Sequence, residues 1–143
     1  MSAHRFKLAL VREEAPEPFG SQVNGPREAS ALASRLLGEE FQEVSLAMFF
    51  NYQGQLIGYI EIGRGGIAHS PMEPRELLVA ALTVNAASVI VAHNHPSGSL
   101  EPSIQDHAVT RRLKQACELV GLELLDHILV GAGGAYRSFL REP

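Results

Sequence analysis

Apolar and polar positions change their spacing several times along the chain, and each change marks an element. Phe6, Leu8 and Leu10 alternate in "RFKLALV", which predicts a short strand. "REEAPEPFGSQVNG" has no period, two prolines and two glycines, and reads as a surface loop. Residues 1–25 are therefore expected to form an N-terminal strand and loop belonging to the same domain as the rest. From Pro26, the residues Ala29, Leu32, Ala33, Leu36 and Leu37 recur at helical spacing until Gly38 stops them. "VSLAMFF" and "LIGYIEI" flank "NYQGQ", the pattern of a β-hairpin. After the loop "RGGIAHSPME", a second helix opens near Pro74 and carries Leu77, Leu78, Ala81, Leu82 and Val84. "SVIVAH" is a continuous apolar run of strand length, expected at the centre of a sheet and buried on both faces.

A third helix is expected from about Ser103, with Val109, Leu113, Ala116, Cys117 and Val120 as its buried stripe and Gly121 as its stop. "LELLDHILVG" is a further strand, and "GAGGAYRSFL" a glycine-rich turn into a last extended piece. Helices and strands interleave, so the fold class is α/β or α+β around one mixed sheet. A chain of 143 residues suits a single domain.

Composition narrows the chemistry. With 12 basic and 16 acidic residues the net charge is −4, and no basic run offers a footprint for duplex DNA or an anionic membrane. Cys117 is the single cysteine, which excludes an internal disulfide and any multi-cysteine zinc site. No apolar run approaches the roughly 20 residues of a membrane span. "FKLALV" is too short for the core of a secretion signal, so a cytoplasmic protein is expected.

The densest chemistry lies in "VAHNHPSGSLEPSIQD", Val91 to Asp106. Residues i and i+2 at a strand end project to one side, about 6–7 Å apart, so His93 and His95 can converge on one ion while Asn94 points away. Pro96 and Gly98 turn the chain, Pro102 and Ser103 open the next helix, and Asp106 falls in its first turn. Three protein ligands, two imidazoles and a carboxylate, leave a fourth tetrahedral position for water, the ligand count of a catalytic zinc. Zinc lowers the pKa of such a water to about 7. A general base must come from elsewhere, and spacing leaves Glu43, Glu61, Glu73 and Glu76 all open.

A plainer reading competes: Ser103 and Asp106 also fit S-x-x-[DE], a helix cap that needs no metal. His107 reads as a surface residue, His127 in "LLDHILV" as a hydrogen-bonded sheet residue, and Cys117 as core. His69, in the candidate gating loop "RGGIAHSPME", reads as solvent-facing. Other metal motifs do not fit. A metallo-β-lactamase HxHxDH would need aspartate and histidine where Ser97 and Gly98 stand, and a barrel amidohydrolase needs about 250 residues. Zinc deaminases need P-C-x-x-C, and the residues that name the HNH nucleases are spread along their motif rather than adjacent.

What remains is H-x-H-x₇-S-x₂-D, matched at every position by His93, His95, Ser103 and Asp106. This resembles the JAMM signature of the JAB/MPN+ metalloproteases. "VAHNHPSG…PS..D…TRRL", with "PRELLVAAL" before it and "LLDHILVG" after it, is similar to the bacterial RadC group among them. The resemblance implies a JAB/MPN metal-binding domain over residues 26–143, a mixed sheet flanked by helices in a layering like that of cytidine deaminases. It further implies one Zn2+ per chain held by His93, His95 and Asp106, with Glu43 in "FQEVSLAMFF" as the base and Ser103 stabilising the tetrahedral intermediate.

The function implied is cleavage of a peptide or isopeptide bond in a protein or peptide substrate, such as a ubiquitin-like tail. The alternative is a DNA repair-associated role. It is the lesser expectation, because the full-length group carries an N-terminal helix-hairpin-helix-like region and only about 25 residues precede the resemblance here. Glu73 and Asn51 stand where the family often has histidine and aspartate.

Overall fold

The computed structural model describes residues 2–7, 9–14, 23–65 and 72–141. Their elements are α1 (Pro26–Leu37), β1 (Val44–Phe50), β2 (Leu56–Arg64), α2 (Pro74–Thr83), β3 (Ser88–Asn94), α3 (Ile104–Leu119), β4 (Glu123–Val130) and β5 (Tyr136–Ser138). The strands form one mixed sheet in the order β2-β1-β3-β4-β5. β3 and β4 run parallel, joined by the crossover helix α3, and the other pairs are antiparallel. This is the α+β class expected from the interleaved periods.

The sheet is covered on both faces, which is why β1 and β3 read as unbroken apolar runs. Alternation survives inside those runs. Ala47 and Phe49 of β1 and Val89 and Val91 of β3 pack with Leu77 and Ala81 of α2 and Leu113 and Cys117 of α3. Val44, Leu46, Met48 and Phe50, with Ile90 and Ala92, pack on the other face against Ala29, Leu32, Ala33 and Leu37 of α1. Each strand residue is thus assigned to the α1 face or the α2/α3 face by parity, and the site inherits that assignment.

The expected N-terminal strand is not formed. Residues 2–7 and 9–14 have no regular structure, Phe6 is 85% exposed, and Leu8 lies outside the described residues. Alternation makes a strand only where a sheet edge takes up its backbone hydrogen bonds, and neither edge, β2 nor β5, pairs with this segment. Most of the candidate gating loop, including His69, also lies outside the described residues. Among the described residues no helix is long and apolar enough to cross a membrane.

Leu113 is fully buried where α3 meets the sheet. Leu113→Ala is expected to lower unfolding stability by about 2–5 kcal/mol in a urea titration; a loss under about 1 kcal/mol would show a poorly packed α3.

Candidate metal centre

Strand parity decides where the residues of "HNH" point. Val89 and Val91 face α3, so His93 does too; Ile90 and Ala92 face α1, and Asn94 follows them. Past β3 the chain turns within four residues, the Gly98 amide donating to the His95 carbonyl at 2.8 Å. Gly98 takes φ +79, and a Cβ there would meet the Ala132 Cβ at 3.3 Å, so glycine is required on two counts. The turn delivers Ser103 to the start of α3 as its N-cap.

Ser103 and Asp106 form the expected helix cap, and Asp106 faces the histidines as well. The Ser103 hydroxyl accepts from the Asp106 amide at 3.0 Å, and Asp106 Oδ2 accepts from the Ser103 amide at 2.8 Å, a reciprocal capping box. The same carboxylate places Oδ1 3.2 Å from His93 Nε2 and Oδ2 3.1 Å from His95 Nε2. The two Nε2 atoms are 3.3 Å apart, and Glu43 Oε1 stands 3.9 Å from His93 Nε2. One ligand atom from each of Glu43, His93, His95 and Asp106 lies within 4.8 Å of the others, close enough to hold one metal ion.

The protons explain why this cluster suits a cation. His95 Nδ1 lies 3.2 Å from the Ser99 carbonyl, which can only accept, so Nδ1 carries a hydrogen and Nε2 is the ring nitrogen turned to the cluster. Burial pushes the Asp106 pKa up, but the neighbouring His93 ring and the hydrogen bond from the Ser103 amide outweigh it and hold the carboxyl well below the usual range. Asp106 is therefore an ionised acceptor. Acceptors facing one another at 3.1–3.3 Å repel unless a cation or a proton sits among them. Two imidazoles and a carboxylate are the donor set that zinc takes.

Glu43 precedes β1 and is positioned through its backbone. Asn94 Oδ1 accepts from the Val44 amide at 2.7 Å, and its Nδ2 donates to the Gln42 carbonyl at 3.1 Å, so one buried side chain grips the residues on either side of Glu43. The Gly65 amide donates to the Glu43 carbonyl at 2.6 Å from the other side. The Glu43 side chain stays 54% exposed. Of the other carboxylates, Glu61 is paired with Arg64 and Glu73 lies 3.8 Å from Arg112, and neither they nor Glu76 join the cluster.

A family model described as a RadC-like JAB domain matches residues 23–143. The chain belongs to the RadC-like JAB domain family. It is 42% identical over 131 residues to a UPF0758 protein of Janthinobacterium sp. (strain Marseille), covering 90% of this chain and 58% of that one. It is 44% identical over 128 residues to a UPF0758 protein of Halorhodospira halophila, covering 88% and 57%. A UPF0758 protein of Actinobacillus pleuropneumoniae serotype 5b is 43% identical over 120 residues, covering 84% and 54%. The chain thus spans somewhat over half the length of these relatives.

Around the cluster, this RadC-like JAB domain builds a polar layer that the sequence reading passed over. His127, on the α3 face of β4, is wholly buried, with Nε2 2.7 Å from His93 Nδ1 and Nδ1 2.6 Å from the Thr110 hydroxyl. Burial pushes its pKa well below the usual value, and the nearby His93 adds to the effect. Phe139 stacks on the His127 ring at 4.3 Å. Asp126 is fully buried and accepts from the His127 amide, the Ser138 hydroxyl and the Leu140 amide, tying the segment that carries Phe139 to β4. The signal was present in "LLDHILVG", where an Asp-His pair interrupts a strand otherwise apolar enough to be buried. His127 is the hydrogen-bonded sheet residue expected. His107 is exposed and outside the cluster, touching only the Phe139 ring among the aromatic contacts. Cys117 is core, its thiol pushed up to about 11 by burial.

Asn94→Ala is expected to leave the Val44 amide and Gln42 carbonyl unpaired and to lower stability by about 1–3 kcal/mol in denaturant unfolding. Amide exchange at Val44 should speed up together with it; unchanged exchange would show that Asn94 does not hold this segment.

Proposed function

We propose that this RadC-like JAB domain is a zinc-dependent hydrolase cleaving a peptide or isopeptide bond. The observation that carries this reading is the convergence of Glu43, His93, His95 and Asp106, whose ligand atoms all lie within 4.8 Å of one another. His93, His95 and Asp106 would hold the ion. When bound there, zinc supplies a Lewis acid and a water acidic enough to attack near neutral pH.

The chain's own groups supply the remainder. Glu43, the most exposed of the four and held by its backbone, takes up the proton of the attacking water and returns it to the departing nitrogen. Ser103 Oγ accepts from the Asp106 amide, which leaves its own hydrogen to donate to the carbonyl oxygen as negative charge develops. The N-terminal end of α3, with its partial positive charge, favours that oxyanion as well. β2 is an edge strand, and its last residue, Arg64, pairs with Val44 next to Glu43. An extended tail added along this edge, such as the C-terminus of a ubiquitin-like protein, would lead its backbone toward the cluster.

Elemental analysis of purified protein tests the reading. Wild type is expected to carry close to one zinc per chain, and His95→Ala and Asp106→Ala little. Glu43→Gln should retain the metal while losing about 10²–10⁴-fold in turnover of branched or tagged peptides. Well-folded wild type that takes up no zinc when it is added back would overturn the metal site. Full turnover by Glu43→Gln would remove Glu43 as the base.

A further inference from the structure

One backbone carbonyl fixes the protons of several side chains in turn. The Thr110 hydroxyl lies 2.8 Å from the Asp106 carbonyl, which has no hydrogen to give, so the single hydroxyl hydrogen points there. Thr110 Oγ1 can then only accept from His127 Nδ1, 2.6 Å away, and that nitrogen carries hydrogen. His127 is wholly buried, and its ring bonds to Thr110 through one nitrogen and to His93 through the other, so with the hydrogen on Nδ1 its Nε2 faces His93 as the acceptor. Nε2 accepts from His93 Nδ1 at 2.7 Å, so the hydrogen of His93 sits on Nδ1. His93 Nε2 is left with its lone pair directed at His95, Asp106 and Glu43.

We propose that Thr110 and His127 are positioning residues that set the tautomer of His93, presenting its Nε2 lone pair to the cluster before a metal arrives. The inference deepens the metal-site reading and rests on it for its purpose, but the proton order follows from the hydrogen bonds alone. The relay is closed in space: it starts at the main chain of Asp106 and ends on His93, whose Nε2 meets the Asp106 side chain. Two ligands from different elements, β3 and α3, are thereby set relative to each other through β4. A ligand histidine commonly donates its second N–H to a carboxylate, a carbonyl or water. Here the acceptor is a neutral ring, which orients His93 without adding a buried negative charge beside it.

Long-range proton–nitrogen NMR of the metal-free protein, in mildly alkaline buffer, reads the tautomers directly. Hydrogen on Nδ1 of both His93 and His127 is expected; His93 protonated on Nε2 in wild type would overturn the relay. Zinc affinity by chelator competition supplies the second readout. Thr110→Val and His127→Leu should each weaken binding by about 10–100-fold. His127→Gln, whose amide can accept from His93 and donate to Thr110, should stay within a few-fold of wild type. Unchanged affinity in folded Thr110→Val and His127→Leu would also overturn it. Should either of those two not fold, the wild-type tautomers and His127→Gln decide the matter. Wild type with the expected tautomers but no zinc binding would sink the metal reading and leave the relay standing.

Discussion

The antiparallel pairing of β1 with β3, locked at its end by the Asn94 side chain, is the contact on which the site depends. The register sets Ser45 opposite His93, so the residues just before β1 emerge beside the residues that end β3. Asn94 then converts that neighbourhood into a fixed position by bonding both flanks of Glu43. The amide can do this only because strand parity turns it toward the α1 face while His93 turns toward α3. A slip of one residue would exchange the two faces, burying His93 against α1 and leaving Asn94 where the ligand belongs.

The second economy lies in the cap of α3. A helix start needs acceptors for its free amides, and Asp106 and Ser103 provide them reciprocally. Asp106 also meets both histidines, so the local stability of the helix start and the arrangement of the cluster draw on one side chain. Asp106 stays ionised because the hydrogen bonds it accepts outweigh its burial. Helix geometry then carries it to its place without any dedicated loop. On β4, Asp126 holds the Phe139 segment against His127.

Much of this was legible in the sequence. The helical stripes, the hairpin and the central buried strand follow from periods of 3.6 and 2, and the HxH spacing plus a cap motif fixes His93, His95 and Asp106 on one side. Choosing Glu43 among four carboxylates required the family resemblance, because the β1–β3 register is a tertiary fact that spacing does not encode. The partners of Asn94, Thr110 and His127 went unread for a related reason: periodicity tells which face a polar residue takes, not which partner waits there. The "RFKLALV" strand failed on the same ground. Its alternation is real, but a strand needs an edge to pair with, and that depends on the rest of the fold.

The chain's topology divides the site unequally. His93, His95, Ser103, Asp106, Thr110 and His127 all lie on the single unit β3–α3–β4 and its loops, whereas Glu43 arrives from the separate β1–β2 hairpin. Heritable change can therefore reach the Glu43 side chain without touching the other unit, although Asn94 of β3 ties the two through the backbone. A change at Glu43 would leave His93, His95 and Asp106 together. Drift in the reverse direction, within β3–α3–β4, would dismantle ligands, cap and relay together.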